Sequence, residues 1–84
     1  MVVVTPGASV LIDCNYTDPS ANIVLSFSHA LNEPFYNISS NVEEGGHVFM
    51  LNEVDINDDG YYMCERQDKY GLSKIVMELF VVEG

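Results

Sequence analysis

Hydrophobic and polar residues alternate along most of this chain with a period of two. In "SVLIDCNY" (9–16), Val10, Ile12 and Cys14 fall on one face and Leu11, Asp13 and Asn15 on the other, the pattern of a strand with one buried side. "IVLSFSH" (23–29) sets Leu25 and Phe27 against Val24, Ser26 and Ser28. "HVFMLN" (47–52) offers Phe49 and Leu51, and "YYMCE" (61–65) offers Tyr62 and Cys64. "KIVMELFVV" (74–82) is a long run of β-branched and aromatic residues, the side chains that suit a pleated surface. No segment sustains helical spacing.

Turn-forming residues fall between these runs: "TPG" at 5–7, "TDPSAN" at 17–22, "NEP" at 32–34, "EEGG" at 43–46, "NDDG" at 57–60 and "DKYG" at 68–71. Gly, Pro, Asn and Asp are frequent in turns because they tolerate or pre-set the required backbone angles. Short strands at such regular spacing predict an all-β sandwich or barrel. No internal repeat, linker or low-complexity tract interrupts them. With 84 residues the chain makes one small domain, residues 1–84, whose core is marginal without a cross-link.

The charge balance narrows the partners. Thirteen acidic residues face only Arg66, Lys69 and Lys74, a net charge of -10. Such a surface repels phosphate backbones and anionic lipid, so neither nucleic acid nor direct membrane contact is expected. The hydrophobic content of 48% argues for a packed globule in spite of that charge. The opening "MVVVTPG" has no basic segment and too short an apolar run for a secretory leader, and no run reaches the roughly 18 residues of a membrane span. The chain reads as a module excised from a larger multidomain protein.

"DINDDGYYMCE" (55–65) admits two readings. Asp55, Asn57, Asp59 and Gly60 match the start of a calcium loop, which places oxygen ligands at alternate positions ahead of a glycine. The twelfth position must then carry a bidentate carboxylate, and it holds Arg66. The flanking segments are strands rather than helices, so the loop fails on charge and on context, and loose binding by Asp55, Asp58 and Asp59 is the weaker form that remains. The two cysteines, Cys14 and Cys64, are too far apart for the CxxC spacing of redox and zinc sites. His29 and His47 read as ordinary surface histidines. Neither a metal nor a cofactor is called for.

The second reading widens well. Phe49, Leu51, Val54, Asp58, Gly60, Tyr62 and Cys64 stand at F-x-L-x-x-V-x-x-x-D-x-G-x-Y-x-C, and Gly7 to Cys14 reads G-x-S-V-x-I-x-C. These motifs resemble the E to F and B strand signatures of the immunoglobulin superfamily, with Leu79 and Val81 similar to its closing strand. The resemblance implies a two-sheet antiparallel sandwich of seven to eight strands, of intermediate-set or C2-like type. It implies that Cys14 and Cys64 bridge the sheets, closing a loop of about 50 residues and contributing roughly 4 kcal/mol in the chain-entropy model. Tyr62 would be the tyrosine-corner residue, its hydroxyl bonded back to the E to F turn, with Gly60 and Asp58 serving the turn. Two departures stand out. Phe27 replaces the family's core tryptophan, and no Arg or Lys lies between Cys14 and Cys64 to pair with Asp58, which points to a backbone amide as its partner. Arg66 falls on the inward face and is expected to snorkel at the end of the sandwich.

A turn centred on Lys69 and Tyr70 pairs Cys64 with Ile75 and Tyr62 with Met77 inside, and Glu65 with Lys74, Met63 with Val76 and Tyr61 with Glu78 outside. With Val24 from the adjacent strand and Phe80, the C-F-G sheet then presents an apolar outer face, rimmed at one end by all three cations. The implied function is an extracellular recognition module of a cell-surface receptor, adhesion protein or secreted binder. The partner is another protein, a second copy included, held by Val24, Tyr61, Met63 and Val76 with Lys69 and Tyr70 at the rim. The alternative is a cytoplasmic structural module like those of giant muscle proteins, which often carry unbridged cysteines. An enzyme is not expected, because no Ser/His/Asp or Cys/His order is readable and both cysteines enter the bridge. Two sequons, at Asn15 and Asn37, suit a secreted chain, and Asn37, in the polar "YNISSN", is the better acceptor.

Overall fold

The computed structural model describes residues 1–14, 22–38, 42–45 and 48–83, and of residues 22, 42–45 and 68 the backbone alone. Among the described residues eight strands follow in order: β1 (Val2–Val4), β2 (Val10–Asp13), β3 (Asn22–Ser28), β4 (Tyr36–Asn37), β5 (Val42–Gly45), β6 (Val48–Leu51), β7 (Gly60–Asp68) and β8 (Gly71–Val81). One turn of 3-10 helix, Ile56–Asp58, precedes β7. A five-stranded sheet in the order β1-β8-β7-β3-β4 packs against a three-stranded sheet in the order β2-β6-β5. Every adjacent pair is antiparallel except β1 with β8, which run parallel.

Strand alternation builds the core. Val10, Ile12, Phe49 and Leu51 project from the small sheet, and Leu25, Phe27, Tyr62, Leu79 and Val81 meet them from the large one, all buried. The Cys14–Cys64 disulfide joins the sheets, with Cα atoms 5.8 Å apart, inside the range a bridge can span. Phe27 occupies the inner face of β3 and packs its ring against Tyr62, with centroids 4.9 Å apart.

The 3-10 turn is held by short-range polar contacts. The Asp55 side chain accepts from Asn57 N–H, and the Asp58 carboxylate accepts from Asp55 N–H at 2.8 Å, a reciprocal capping box that satisfies otherwise unpaired amides. Asp58 thus has a backbone amide as partner, as expected. Asp59 accepts from Val81 N–H at 2.9 Å, tying this turn to β8. These carboxylates hold backbone, and among the described residues no group of three or more His, Cys, Asp or Glu is placed to hold a metal ion.

Tyr62 donates its hydroxyl to the Asp58 carbonyl at 2.7 Å, the tyrosine corner that the sequence predicted. Burial first, then the nearby Asp58 carboxylate, pushes its pKa well above the ordinary tyrosine value, so the hydroxyl remains a donor. Tyr62→Phe keeps the ring and deletes this bond. It is expected to cost about 1 kcal/mol, read as a melting temperature lower by roughly 4–8 °C in a domain of this size. An unchanged melting temperature would refute a structural role for the hydroxyl.

The structure revises several expectations. The run Val2–Val4 is a strand, parallel to the end of β8. The chain crosses between sheets at Gly7, whose N–H donates to the Val54 carbonyl at 2.7 Å, and Val54 N–H returns a bond to Ala8. The expected turn at 43–46 starts too early, because β5 runs to Gly45 and pairs Glu44 with Phe49 and Gly45 with Val48. As the outer strand of its sheet, β5 accommodates charged residues and glycine. Tyr36 and Asn37 form the short β4 against β3. Asn15, His47 and most of the turn expected at 17–22 lie outside the described residues.

Candidate functional site

The β7–β8 hairpin is the centre of the outward face. A two-residue turn, Lys69 and Tyr70, separates Asp68 from Gly71, and the ladder below it pairs Glu65 with Lys74, Met63 with Val76 and Tyr61 with Glu78. That register is the one the sequence predicts. A hairpin's turn length sets its register, and strand alternation then sorts each pair to one face. On the other side of β7, Val24 lies beside Glu65, Ser26 beside Met63 and Ser28 beside Tyr61.

Cross-strand rows follow from this pairing. Val24, Glu65 and Lys74 form one row, next to the Gln67–Leu72 pair that lies closer to the turn. Asn37, Ser26, Met63 and Val76 form the next, since Asn37 pairs with Ser26 across β4. Ser28, Tyr61 and Glu78 form a third. Phe80 continues the face along β8 and pairs with Val3 of β1. Val76 is 48% exposed and Val3 55%, while Val24, Tyr61, Met63 and Phe80 are half-buried by one another and their neighbours. Apolar side chains therefore cross four adjacent strands. The Tyr61 hydroxyl hydrogen-bonds the Glu78 carboxylate, which raises its pKa because the bond is lost on ionisation.

The turn carries a different chemistry. Lys69 Nζ stands 5.1 Å from the centroid of the exposed Tyr70 ring, a cation–π geometry. Lys74 is exposed on β8 opposite Glu65, and Arg66 is half-buried on the inner-facing side of β7, paired in register with Ile23 and Ser73. The three cations of the chain thus gather at one end of one hairpin.

Three features of these strands escape sequence reasoning. Ser26 and Ser28 point to the outer side as expected but are buried, at 2% and 1% exposure. Ser26 donates to the Asn37 side-chain carbonyl at 3.0 Å, and Ser28 to the Ala30 carbonyl at 2.7 Å. Those bonds tie them to β4 and to the turn that follows β3. Val3 extends the strip, and the "VVV" run was its only sequence signal. Ile75 shares a face with Cys64, yet it is 39% exposed. β1 reaches only Leu79–Val81, so the rest of β8 is a sheet edge among the described residues.

At the far end of the sandwich, Phe27, Tyr36, Ile38, Leu51, Asp58 and Tyr62 border a cleft of about 180 Å³. Its volume matches a single side chain rather than the roughly 300–1,000 Å³ of a small-molecule site.

A scan against protein-family models found no match, and a search among curated proteins found no relative. Solved structures do align. The four N-terminal immunoglobulin domains of Dscam1 isoform 1.9 match at a TM-score of 0.85 and 14% identity, over 99% of this chain and 22% of that one. Those of Dscam1 isoform 6.9 match at 0.84 and 16%, over 95% and 21%. The eight N-terminal immunoglobulin domains of Down Syndrome Cell Adhesion Molecule isoform 1.30.30 match at 0.81 and 12%, over 94% and 11%. This chain spans about a fifth or less of the structures it resembles. Two sheets in this strand order, a bridge between them, a tyrosine corner and this structural likeness agree: by fold, the chain is an immunoglobulin-like domain.

Proposed function

We propose that this domain is a protein-recognition module of a cell-surface or secreted protein, and that its partner meets the outward face of β3, β7 and β8. The observation that carries this reading is the apolar strip of Val24, Tyr61, Met63, Val76, Phe80 and Val3, part-exposed on one sheet face. A contiguous apolar patch rimmed by charge is characteristic of an interaction site, whereas scattered exposed valines are not. Met63 and Tyr61 are the anchors, because both are large and part-exposed and Tyr and Met are among the residues enriched at interface cores. Lys69, Tyr70 and Lys74 form a positive rim on an otherwise acidic surface, which steers an acidic partner to this end.

Two further points support an extracellular setting. A disulfide between buried cysteines suits an oxidising compartment. A neighbour in structure is named a cell adhesion molecule, a role that this reading shares.

Changing Met63 and Val76 together to Glu tests the face. The double variant is expected to lose self-association in sedimentation, or binding to a panel of cell-surface ectodomains, and to keep its stability within about 1 kcal/mol because the sites are outward. Binding that survives in the folded double variant would sink the proposal.

A further inference from the structure

We infer that an N-linked glycan on Asn37 lies across the outward face of the large sheet, covers Met63 and Val76, and so keeps a partner off this face. The inference rests on the recognition reading above for its consequence, but not for its geometry. Asn37 begins the sequon Asn37-Ile38-Ser39 and is exposed on β4, the outermost strand of its sheet. Cross-strand pairing places it in one row with Ser26, Met63 and Val76. At the usual strand spacing, Met63 lies about 10 Å away and Val76 about 14 Å.

Two details aim the sugar along that row. Ser26 Oγ donates to Asn37 Oδ1 at 3.0 Å, which anchors the amide by its carbonyl and leaves Nδ2 for the glycosidic bond. Ser26 is also the only residue of the row between Asn37 and Met63, and its short side chain is engaged with the Asn37 amide, so the row leads from the attachment point to the apolar strip past a single small residue. A glycan is bulkier than any side chain and strongly solvating. Set at the edge of this row, it turns an apolar face into a hydrated one.

The modification balances as an ordinary transfer from a lipid-linked oligosaccharyl pyrophosphate. The bond from the anomeric carbon to the pyrophosphate oxygen breaks, the bond from that carbon to Asn37 Nδ2 forms, the lipid pyrophosphate leaves, and the amide nitrogen gives up one proton.

The test compares two forms of the 84-residue chain from a eukaryotic secretory host, both carrying Asn15→Gln: one with Asn37 intact and one with Asn37→Gln. A neutral gadolinium chelate in solution relaxes methyl groups that it can approach. Relaxation of the Met63 and Val76 methyls is expected to fall several-fold when mass spectrometry shows Asn37 glycosylated. That of Leu11, exposed on the small sheet, should not change. Equal relaxation of Met63 and Val76 in the two forms would overturn the inference, and so would an unmodified Asn37. Because this readout needs no partner, it succeeds or fails separately from the recognition reading, which the Met63 and Val76 double variant tests.

Discussion

Replacing Cys14 and Cys64 together by alanine is expected to lower the stability of this domain by about 4 kcal/mol, the chain-entropy value for a cross-link closing a loop of this length. The bridge spans 50 positions in sequence, so its loss frees more than half of the chain in the unfolded state. Both cysteines are fully buried in the centre of the core, at 0% and 1% exposure, and their loss also removes packing between the sheets. A domain of 84 residues holds only a few kcal/mol in reserve. The variant should therefore be largely unfolded at 37 °C, as circular dichroism and urea denaturation would show. A urea midpoint that falls by the equivalent of less than about 1 kcal/mol would mean that the sheets do not depend on their cross-link. Thiol titration of native chain from its own source adds a separate decision. Free Cys14 and Cys64 would favour the cytoplasmic structural module over the extracellular reading.

The second large effect is expected at Gly60, the first residue of β7. Its φ is +154°, and a Cβ built there would lie 2.6 Å from the Ser28 carbonyl oxygen and 2.9 Å from Cε1 of Phe27. The first of these neighbours is backbone within the β3 ladder, and the second is a core ring packed on Tyr62. Neither can withdraw without disturbing the sheet. Gly60→Ala therefore combines overpacking with backbone strain, and together they should cost about 3 kcal/mol or more. Gly71, with φ +123° but open space around it, is the control. Gly71→Ala meets strain without a clash and should cost less. Equal urea midpoints for the two variants would show that close approach at Gly60 is not what demands glycine there.

Much of this architecture was legible in the chain because it is local. Period-two alternation told which of Val10 and Leu11, Phe49 and Met50, or Cys64 and Glu65 faces the core, since successive side chains of any strand point to opposite sides. A two-residue turn at Lys69 and Tyr70 then set the β7–β8 register, down to Met63 beside Val76. The Asp58, Gly60 and Tyr62 spacing carried the corner for the same reason: its hydrogen bond spans four residues. What could not be read depends on partners remote in sequence. Whether Val2–Val4 forms a strand is settled by β8, more than seventy residues away. Ser26 and Ser28 look like solvent-facing residues in any local window, yet they are buried and bonded to Asn37 of β4 and to Ala30 in the turn after β3. Ile75 carries the signature of a core residue, yet it is 39% exposed, on the stretch of β8 that β1 does not reach. The placement of Asn37 in a row with Met63 is of the same kind. Alternation tells which face of its own strand a side chain takes. Which neighbour stands beside it, and whether anything covers that face, is set by the pairing of distant strands, and a period along one strand carries no information about that pairing.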